Sequence, residues 1–322
     1  MSRASAVKGG WVVGAAIVLA ALPFVLEKGL SPYYLYLAIK INVWALFAVS
    51  FNLVLGYAGM MSFGHAAFYG AGAYTCALIL AKTSCPMPLA FVAAPVLAAC
   101  VGLIIGYFSV KIKGIFYFAV LTLSFAQLLY IVVYKWRSFT HGDDGIQGIP
   151  VPSWISTDVT FVSYYFFTLI ISLVCVYILW RIVESPFGLM LRTLRENPQR
   201  STFIGMNVQR YRLVAFVISA FFSGVAGALF ALLETSVSPD LLFWSNSGEV
   251  ILMGLLGGMH IFLGPALGAA IMVLLNSFIT LYTGYWQFFL GITLISIVLF
   301  FPEGVAGLIH ERYAARRGKR AA

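Results

Sequence analysis

Long apolar runs separated by short polar punctuation dominate the chain. A membrane-spanning helix needs about 20 mostly apolar residues. That criterion places spans at 11–27, 33–55, 63–81, 88–110, 115–134, 160–180, 211–233, 248–263, 265–283 and 285–301. The pattern predicts an all-α, polytopic membrane helix bundle with about ten transmembrane helices in a single domain, 1–322. Pro32, Pro86, Pro88 and Pro150 fall between spans, where proline is tolerated. Three longer polar segments remain: a loop at 135–159, a patterned segment at 181–212 and a basic tail at 302–322.

Composition supports this class. The 322 residues are 61% hydrophobic and 10% charged, with mean hydropathy +0.96, whereas soluble domains are about a quarter charged. The net charge of +9 raises nucleic acid as a partner, but its distribution argues for membrane orientation. With ten spans, fifteen Lys and Arg fall on the side of the N-terminus and four on the other, and Lys40 sits within a span. Positive charge marks the cytoplasmic side, so both termini and 181–212 are expected there and 135–159 outside. The apolar run after Arg3 and Lys8 lacks a clear small-x-small cleavage site, so it reads as a retained first span. Cys76, Cys85, Cys100 and Cys175 show no ligand-like spacing and read as packed small hydrophobes.

The segment 181–212 is too patterned for a tether. Gly188–Asn197 suits a short amphipathic helix in which Leu191 and Leu194 share a side. Arg192, Arg195 and Glu196 project elsewhere, and Arg192 can pair with Glu196 four residues on. Asn197 precedes Pro198 and is pushed out of helical geometry. Asn is also a favoured N-cap, and Pro a favoured first helical residue. One helix therefore ends at Asn197-Pro198 and a second runs to about Ile204, stopped by Gly205. Such a knob either lies on lipid headgroups or docks a cytoplasmic partner and takes force from it.

Five stretches resemble, in order, the permeases of branched-chain amino acid ABC transporters, the LivM-type membrane subunits. They are "FNLVLGYAGMMSFGHAAFYGAGAY", "THGDDGIQGI", "RTLRENPQRSTFIGMNVQRYRLVAFVISAFFSGVAGALFA", "SPDLLFWSNSGEVILMGLLGGMHIFLGPALGAA" and "LFFPEGVAGL". The resemblance implies a subunit of the bacterial inner membrane. Its partners would be a second homologous permease, two cytoplasmic ATP-binding subunits and a periplasmic substrate-binding protein. It also implies an ATPase-coupling set of Leu191, Arg192, Arg195, Glu196, Asn197, Pro198 and Gly205, and an inverted repeat of the second-to-fifth and seventh-to-tenth spans. Arg200 and Ser201 stand where the family has two small residues, Pro198 replaces an often acidic position, and His260 stands where Gly is common. The implied substrate is a branched-chain or related small hydrophobic amino acid, with urea, short amides and aromatic acids as alternatives. No cofactor is expected on this chain; ATP and Mg would be used by the partner ATPases. There is no GxxxxGK[ST] stretch and no catalytic grouping, so a transport subunit is expected rather than an enzyme. A stand-alone ion-coupled transporter using Glu249 and Lys40 is the rival of another class.

Residues 56–74, "GYAGMMSFGHAAFYGAGAY", hold five glycines in apolar sequence. Transport sites near mid-membrane are often built where helices break. Asn52, Gly56, Gly59, Gly64 and Glu249 are therefore candidates for the substrate pathway, with Gly70, Gly72 and Ala73 permitting close packing. The alternative is that these glycines serve only packing or a tight cytoplasmic turn. Ser219, Ser223 and Gly227, and Ala220, Gly224 and Ala228, stripe both faces of the seventh span and predict a central helix. Gly264 and Gly268 form a GxxxG pair. Lys40, Asn42, Asn52, Gln127, Glu249 and Asn276 are polar residues within spans, where a charge costs about 2.5–3.5 kcal/mol on insertion scales. Lys40 suits snorkelling or a helix contact. Glu249 suits an outer gate, or capping of its own helix together with Ser247. His65 and His260 read as hydrogen-bonded packing residues. Asp143 and Asp144 lack the alternating oxygen ligands of a calcium loop.

Overall fold

The computed structural model of the protein describes residues 32–83, 85–112, 114–152 and 161–282, with scattered positions beyond, among them 304–307. The predicted span 11–27, both termini, most of span 285–301 and most of the tail 302–322 lie outside the described residues. Helices form nearly all of what is described. They are α1 (Pro32–Asn52, prolonged by a π-helical turn Leu53–Tyr57), α2 (His65–Lys82), α3 (Met87–Ser109), α4 (Ile115–Lys135), α5 (Arg137–Thr140) and α6 (Phe161–Val183). They continue with α7 (Pro186–Glu196), α8 (Pro198–Phe203), α9 (Val208–Glu234), α10 (Trp244–Gly257) and α11 (Gly264–Thr280). A two-residue antiparallel pair joins β1 (Ile146–Gln147) to β2 (Ser236–Val237).

Among the described residues, five helices are long and apolar enough to cross a membrane: Pro32–Tyr57, Met87–Ser109, Phe116–Lys135, Phe161–Val183 and Val208–Glu234. The predicted eighth span, 248–263, is corrected. Its helix starts at Trp244 and stops at Gly257, so it is only about 21 Å long, against about 30 Å of hydrocarbon. Gly258 takes φ +98°, a conformation that glycine adopts freely and other residues avoid. Hydropathy sees one continuous apolar run there and does not register the turn.

α9 is the central helix, and its two small-residue faces explain why. A Cβ on Gly227 would lie 1.9 Å from the Tyr69 carbonyl of α2, and one on Gly224 2.5 Å from Ala98 Cβ of α3. On α1, Ser219 Oγ donates to the Ser50 carbonyl at 2.7 Å, and the Ser50 and Ser223 hydroxyls lie 3.0 Å apart. Backbone approach of this kind is how membrane helices gain packing where water gives no hydrophobic drive.

These contacts also fix depth. α2 runs beside α9 in the same direction, with His65 bonded to Ser219 and Gly72 against Gly224. Both end near β1 and β2, where Lys82 Nζ donates to the Phe139 carbonyl at 2.6 Å. His65 is about 26 Å along α2 from Lys82, and Ser219 is about 16 Å along α9 from Val208. α2 therefore begins inside the bundle. The non-helical segment 58–64 that feeds it alternates buried and half-buried residues, with Ala58 and Ser62 fully inaccessible.

The same event occurs at the other end with reversed direction. After β2 the chain turns inward through Pro239–Leu242, and Leu242 packs on Gly70. α10 then starts beside the first turn of α2, where the Ala66 N–H donates to Ser247 Oγ at 2.8 Å. The half-helix α10 leads to α11, as α2 leads to α3. α11 returns antiparallel on α10, with the Gly268 backbone against the Met253 carbonyl and Gly264 against Gly257. α1–α3 and α9–α11 thus repeat one motif in inverted sense, although their sequences show no residue-level repeat. The tenth span of the expected repeat lies outside the described residues.

Gly227→Ala is expected to lower the thermal midpoint of the purified protein, at a cost of about 1–3 kcal/mol for an overpacked core position. Gly248→Ala has nothing within 4 Å of the new methyl and is expected to leave the midpoint unchanged or raise it, since Ala favours a helix by about 1 kcal/mol over Gly.

Candidate functional site

The end of the bundle opposite β1 and β2 carries an elbow made by α7 and α8. Gly188 packs against the Val183 carbonyl, 2.1 Å from where a Cβ would stand, and so permits the sharp turn out of α6. Leu191 and Leu194 are fully buried and bolt α7 to the bundle. Arg195 Nη1 donates to the Gly56 carbonyl at 2.5 Å, and its methylene stem covers Gly59, whose φ is +66°. Asn197 is extended and ends α7. Its Oδ1 accepts from the Arg200 N–H at 3.0 Å and so caps α8, which opens on Pro198. Gly205, at φ +85°, closes α8 with its N–H on the Thr202 carbonyl at 3.0 Å.

The expected Arg192–Glu196 pair is corrected. Arg192 lies 3.7 Å from Glu184, with both side chains about half exposed, and stands 5.2 Å over the Tyr57 ring. The turn between α6 and α7 brings Glu184 to that side, while Glu196 lines a cavity of about 1030 Å³ with Gly59, Asn197, Gly205 and Arg212. A residue pair missed in the sequence completes the elbow: Phe203 is 91% exposed and Ile204 72%. Two apolar residues directly before a helix-stopping glycine in a polar segment were the available signal.

The candidate pathway residues do not form one group. Asn52, Gly56, Gly59 and Gly64 cluster where α1 breaks. Asn52 is 2% exposed, and neither polar atom of its side chain has a partner. A Cβ on Gly56 would meet the Met259 carbonyl at 2.5 Å, and one on Gly64 the Thr122 carbonyl at 2.8 Å. Close backbone crossing explains these two glycines, and a positive φ explains Gly59. His65 sits among them, Nδ1 at 3.0 Å from Ser62 Oγ and Nε2 at 3.0 Å from Ser219 Oγ, with Phe51, Phe68 and Phe216 edge-on around the ring. It is a hydrogen-bonded packing residue. His260 is exposed in the turn after α10.

Glu249 stands apart with two other polar residues of the spans. Lys40 on α1, Glu249 on α10 and Asn276 on α11 line one chamber of about 390 Å³, together with Trp44 and Met253. Lys40 is about 18 Å along α1 from Asn52. Ser247 does not cap α10, as expected alongside Glu249. Its hydroxyl serves the N-terminus of α2 instead. The loop 135–159 is structured as far as 152: α5 and a 3₁₀ turn lead into β1, which is pinned to β2, and 153–160 lie outside the described residues.

Interior helix breaks in an apolar bundle, a chamber that holds Lys40, Glu249 and Asn276, and a rigid elbow at one end mark a multi-pass membrane protein. The sequence profile of the family described as "Branched-chain amino acid transport system / permease component" matches residues 33–298, and the chain belongs to that family of ABC transporter permeases. It is 26% identical to the high-affinity branched-chain amino acid transport system permease protein LivM of Escherichia coli (strain K12), over 98% of this chain and 79% of that protein. Shorter matches are the guanosine ABC transporter permease protein NupQ of Bacillus subtilis (strain 168) and the ribose import permease protein RbsC of Haemophilus influenzae. The first is 32% identical over 39% of this chain and 38% of its own length, the second 26% over 45% and 43%. No solved structure matches the chain.

Asn197→Ala is expected to remove about 1 kcal/mol of capping. Hydrogen exchange should then quicken at the Arg200 amide and through α8, while protection in α9 is unchanged.

Proposed function

We propose that the chain is the membrane-embedded half of an ATP-driven importer for branched-chain or related small hydrophobic amino acids in a bacterial inner membrane. A second homologous permease pairs with it, two cytoplasmic ATP-binding subunits drive it, and a periplasmic binding protein delivers the substrate. The bundle spans the membrane about ten times, with the elbow end and both termini cytoplasmic. Three described Lys and Arg lie at the β1–β2 end (Lys82, Lys135 and Arg137), against seven at the elbow end, from Lys111 to Arg212. That asymmetry has the sense of the positive-inside rule.

The observation that carries the proposal is the elbow. α7 is locked to the bundle by Leu191, Leu194 and Arg195, whereas Phe203 and Ile204 project from α8 as bare apolar side chains. A segment that only rested on lipid headgroups would not need the rigid Asn197-Pro198 angle between a buried helix and an exposed tip. The tip fits a pocket on a partner, and the locked helix carries the partner's movement into the bundle. Leu191, Arg192, Arg195, Glu196, Asn197, Pro198 and Gly205 form or shape this coupling element. The chain has no phosphate-cradling motif, so ATP and Mg belong to the partner ATPases. The β1–β2 end, with α5 and the turn at Gly142–Asp144, is the surface on which the binding protein docks.

Two other readings follow from specific observations. Relatives named for guanosine and ribose favour a sugar or nucleoside substrate. Lys40 and Glu249 within the bundle favour an ion-coupled carrier acting alone. Gradient-driven uptake by the reconstituted chain without any ATPase would establish the second.

In cells carrying the complete transporter, Gly205→Pro and the Asn197-Pro198→Ala-Ala exchange are each expected to cut leucine uptake by at least about tenfold, a coupling change near 1.4 kcal/mol. ATP hydrolysis and membrane insertion should persist. Normal uptake in both variants would remove the coupling role from the elbow.

A further inference from the structure

The chamber between α1, α10 and α11 holds an arrangement that packing alone does not require. It reaches from Tyr33 and Leu281, at the β1–β2 end, to Trp44 and Met253. Trp44 stacks on Tyr69 at 5.8 Å, and Tyr69 is about 20 Å along α2 from Lys82, so the floor lies deep in the bundle. Its volume of about 390 Å³ falls in the range of about 300–1,000 Å³ typical of small-molecule sites. Glu249 stands in the first turns of α10, the half-helix that begins inside the bundle. Lys40 faces the same space from α1. The two charges are not within ion-pair distance of each other; among the described residues the Arg192–Glu184 contact is the ion pair within 4.0 Å. No hydrogen bond joins Glu249 to any described residue. Lys40 Nζ lies 5.7 Å over the Tyr36 ring, and the Tyr36 hydroxyl is turned away to Glu234 at 2.5 Å.

An acid and a base that share one cavity deep in a membrane protein without neutralising each other leave room for a ligand carrying both charges. We propose that this chamber is a binding site for a zwitterion, an α-amino acid, on its way through the permease. Lys40 receives the α-carboxylate and Glu249 the α-ammonium. Asn276, whose Oδ1 accepts from Thr280 at 2.9 Å, has its amide N–H groups free to donate to the carboxylate. Trp44, Met253 and Met272 surround an aliphatic side chain. A sugar or nucleoside has no use for the opposed charges, so the chamber itself selects the class of substrate. The inference rests on the amino-acid reading above.

The test uses the purified full-length chain with Cys85→Ser and Cys100→Ser, which leaves only the two buried cysteines, Cys76 and Cys175. Ser277→Cys, at a lining position outside the proposed contacts, then places one thiol in the chamber. A small charged methanethiosulfonate is expected to label it, and leucine to slow the labelling. Leucinamide, which lacks the carboxylate, and 4-methylpentanoate, which lacks the ammonium, are expected to protect far less. Lys40→Met or Glu249→Gln should raise the leucine concentration for half-protection by at least about tenfold, the scale of one lost charge contact. Lys40→Arg should restore most of it. The two analogues decide the matter on unaltered charges if a charge variant fails to fold. An unreactive thiol, or labelling that leucine leaves unchanged, overturns the chamber as a site even where intact cells take up leucine through the complete transporter. Protection by guanosine or ribose but not by leucine overturns the amino-acid reading, and this inference with it.

Discussion

One hydrogen bond joins the two interior helix starts: the Ala66 N–H on Ser247 Oγ at 2.8 Å. Where water is absent, non-helical backbone is tolerated only if protein satisfies its polar groups. This chain re-enters the bundle twice, at 58–64 and at 236–243, and each re-entry creates a helix N-terminus with unpaired N–H groups. The two starts are placed side by side so that a side chain of one serves the other. Ser62 Oγ takes the Gly64 N–H at 3.2 Å, and Thr122 Oγ1 takes that of Phe63 at 3.3 Å. His65, buried and held between Ser62 and Ser219, ties this junction to α9. Without these partners the N–H groups that lead into α2 would stay unpaired inside the bundle, at about 1–3 kcal/mol each.

Much of this was legible in the sequence, and the parts that were not share a cause. The paired stripes of small residues on α9 identified the central helix, because close approach leaves a local signature at every fourth position. The Asn197-Pro198 break and the Gly205 stop were legible because caps and turns are set by adjacent residues. Hydropathy, by contrast, averages over a window and records depth nowhere. It therefore read 248–263 as one full-length spanning helix, although α10 begins inside and ends at Gly257. The Arg192–Glu184 contact was missed because it depends on how α6 hands over to α7, which helical spacing within α7 cannot express. Lys40, Glu249 and Asn276 were each visible as polar residues in apolar runs. Their meeting was not, since three different helices bring them together.

The inverted pairing of α1–α3 with α9–α11 explains why glycine is concentrated where it is. Each half packs its short helix against a long helix of the other. Tyr69 and Leu242 illustrate the two crossings: the carbonyl of the first presses on Gly227, and the side chain and backbone of the second on Gly70. A methyl group at either glycine would push apart helices that have no solvent-driven attraction to spare. The cost in helix propensity, about 1 kcal/mol per glycine, is smaller than the overpacking it avoids at a backbone contact.

The same geometry makes the route from elbow to chamber short. α10 carries Glu249 near its start and leads at its end into Met259, whose carbonyl lies against Gly56. The Gly56 carbonyl in turn is held by the Arg195 guanidinium of α7. Elbow, broken end of α1, turn after α10 and chamber floor therefore follow one another: the Arg195 guanidinium holds a backbone carbonyl, the next contact is backbone on backbone, and α10 itself makes the last step. Close-packed interiors respond to displacement by shifting whole elements rather than by deforming continuously. The Gly56–Met259 contact itself leaves no room for a side chain, so in the proposed importer a push that reaches Gly56 bears on the end of α10, beside a cavity of about 760 Å³ lined by Gly56, Arg195 and His260. Because α10 is only fourteen residues long and begins inside the bundle, a displacement at its Gly257 end would carry the whole helix as one body. That body carries the carboxylate facing Lys40, so its tilt changes the gap in which a charged substrate would sit.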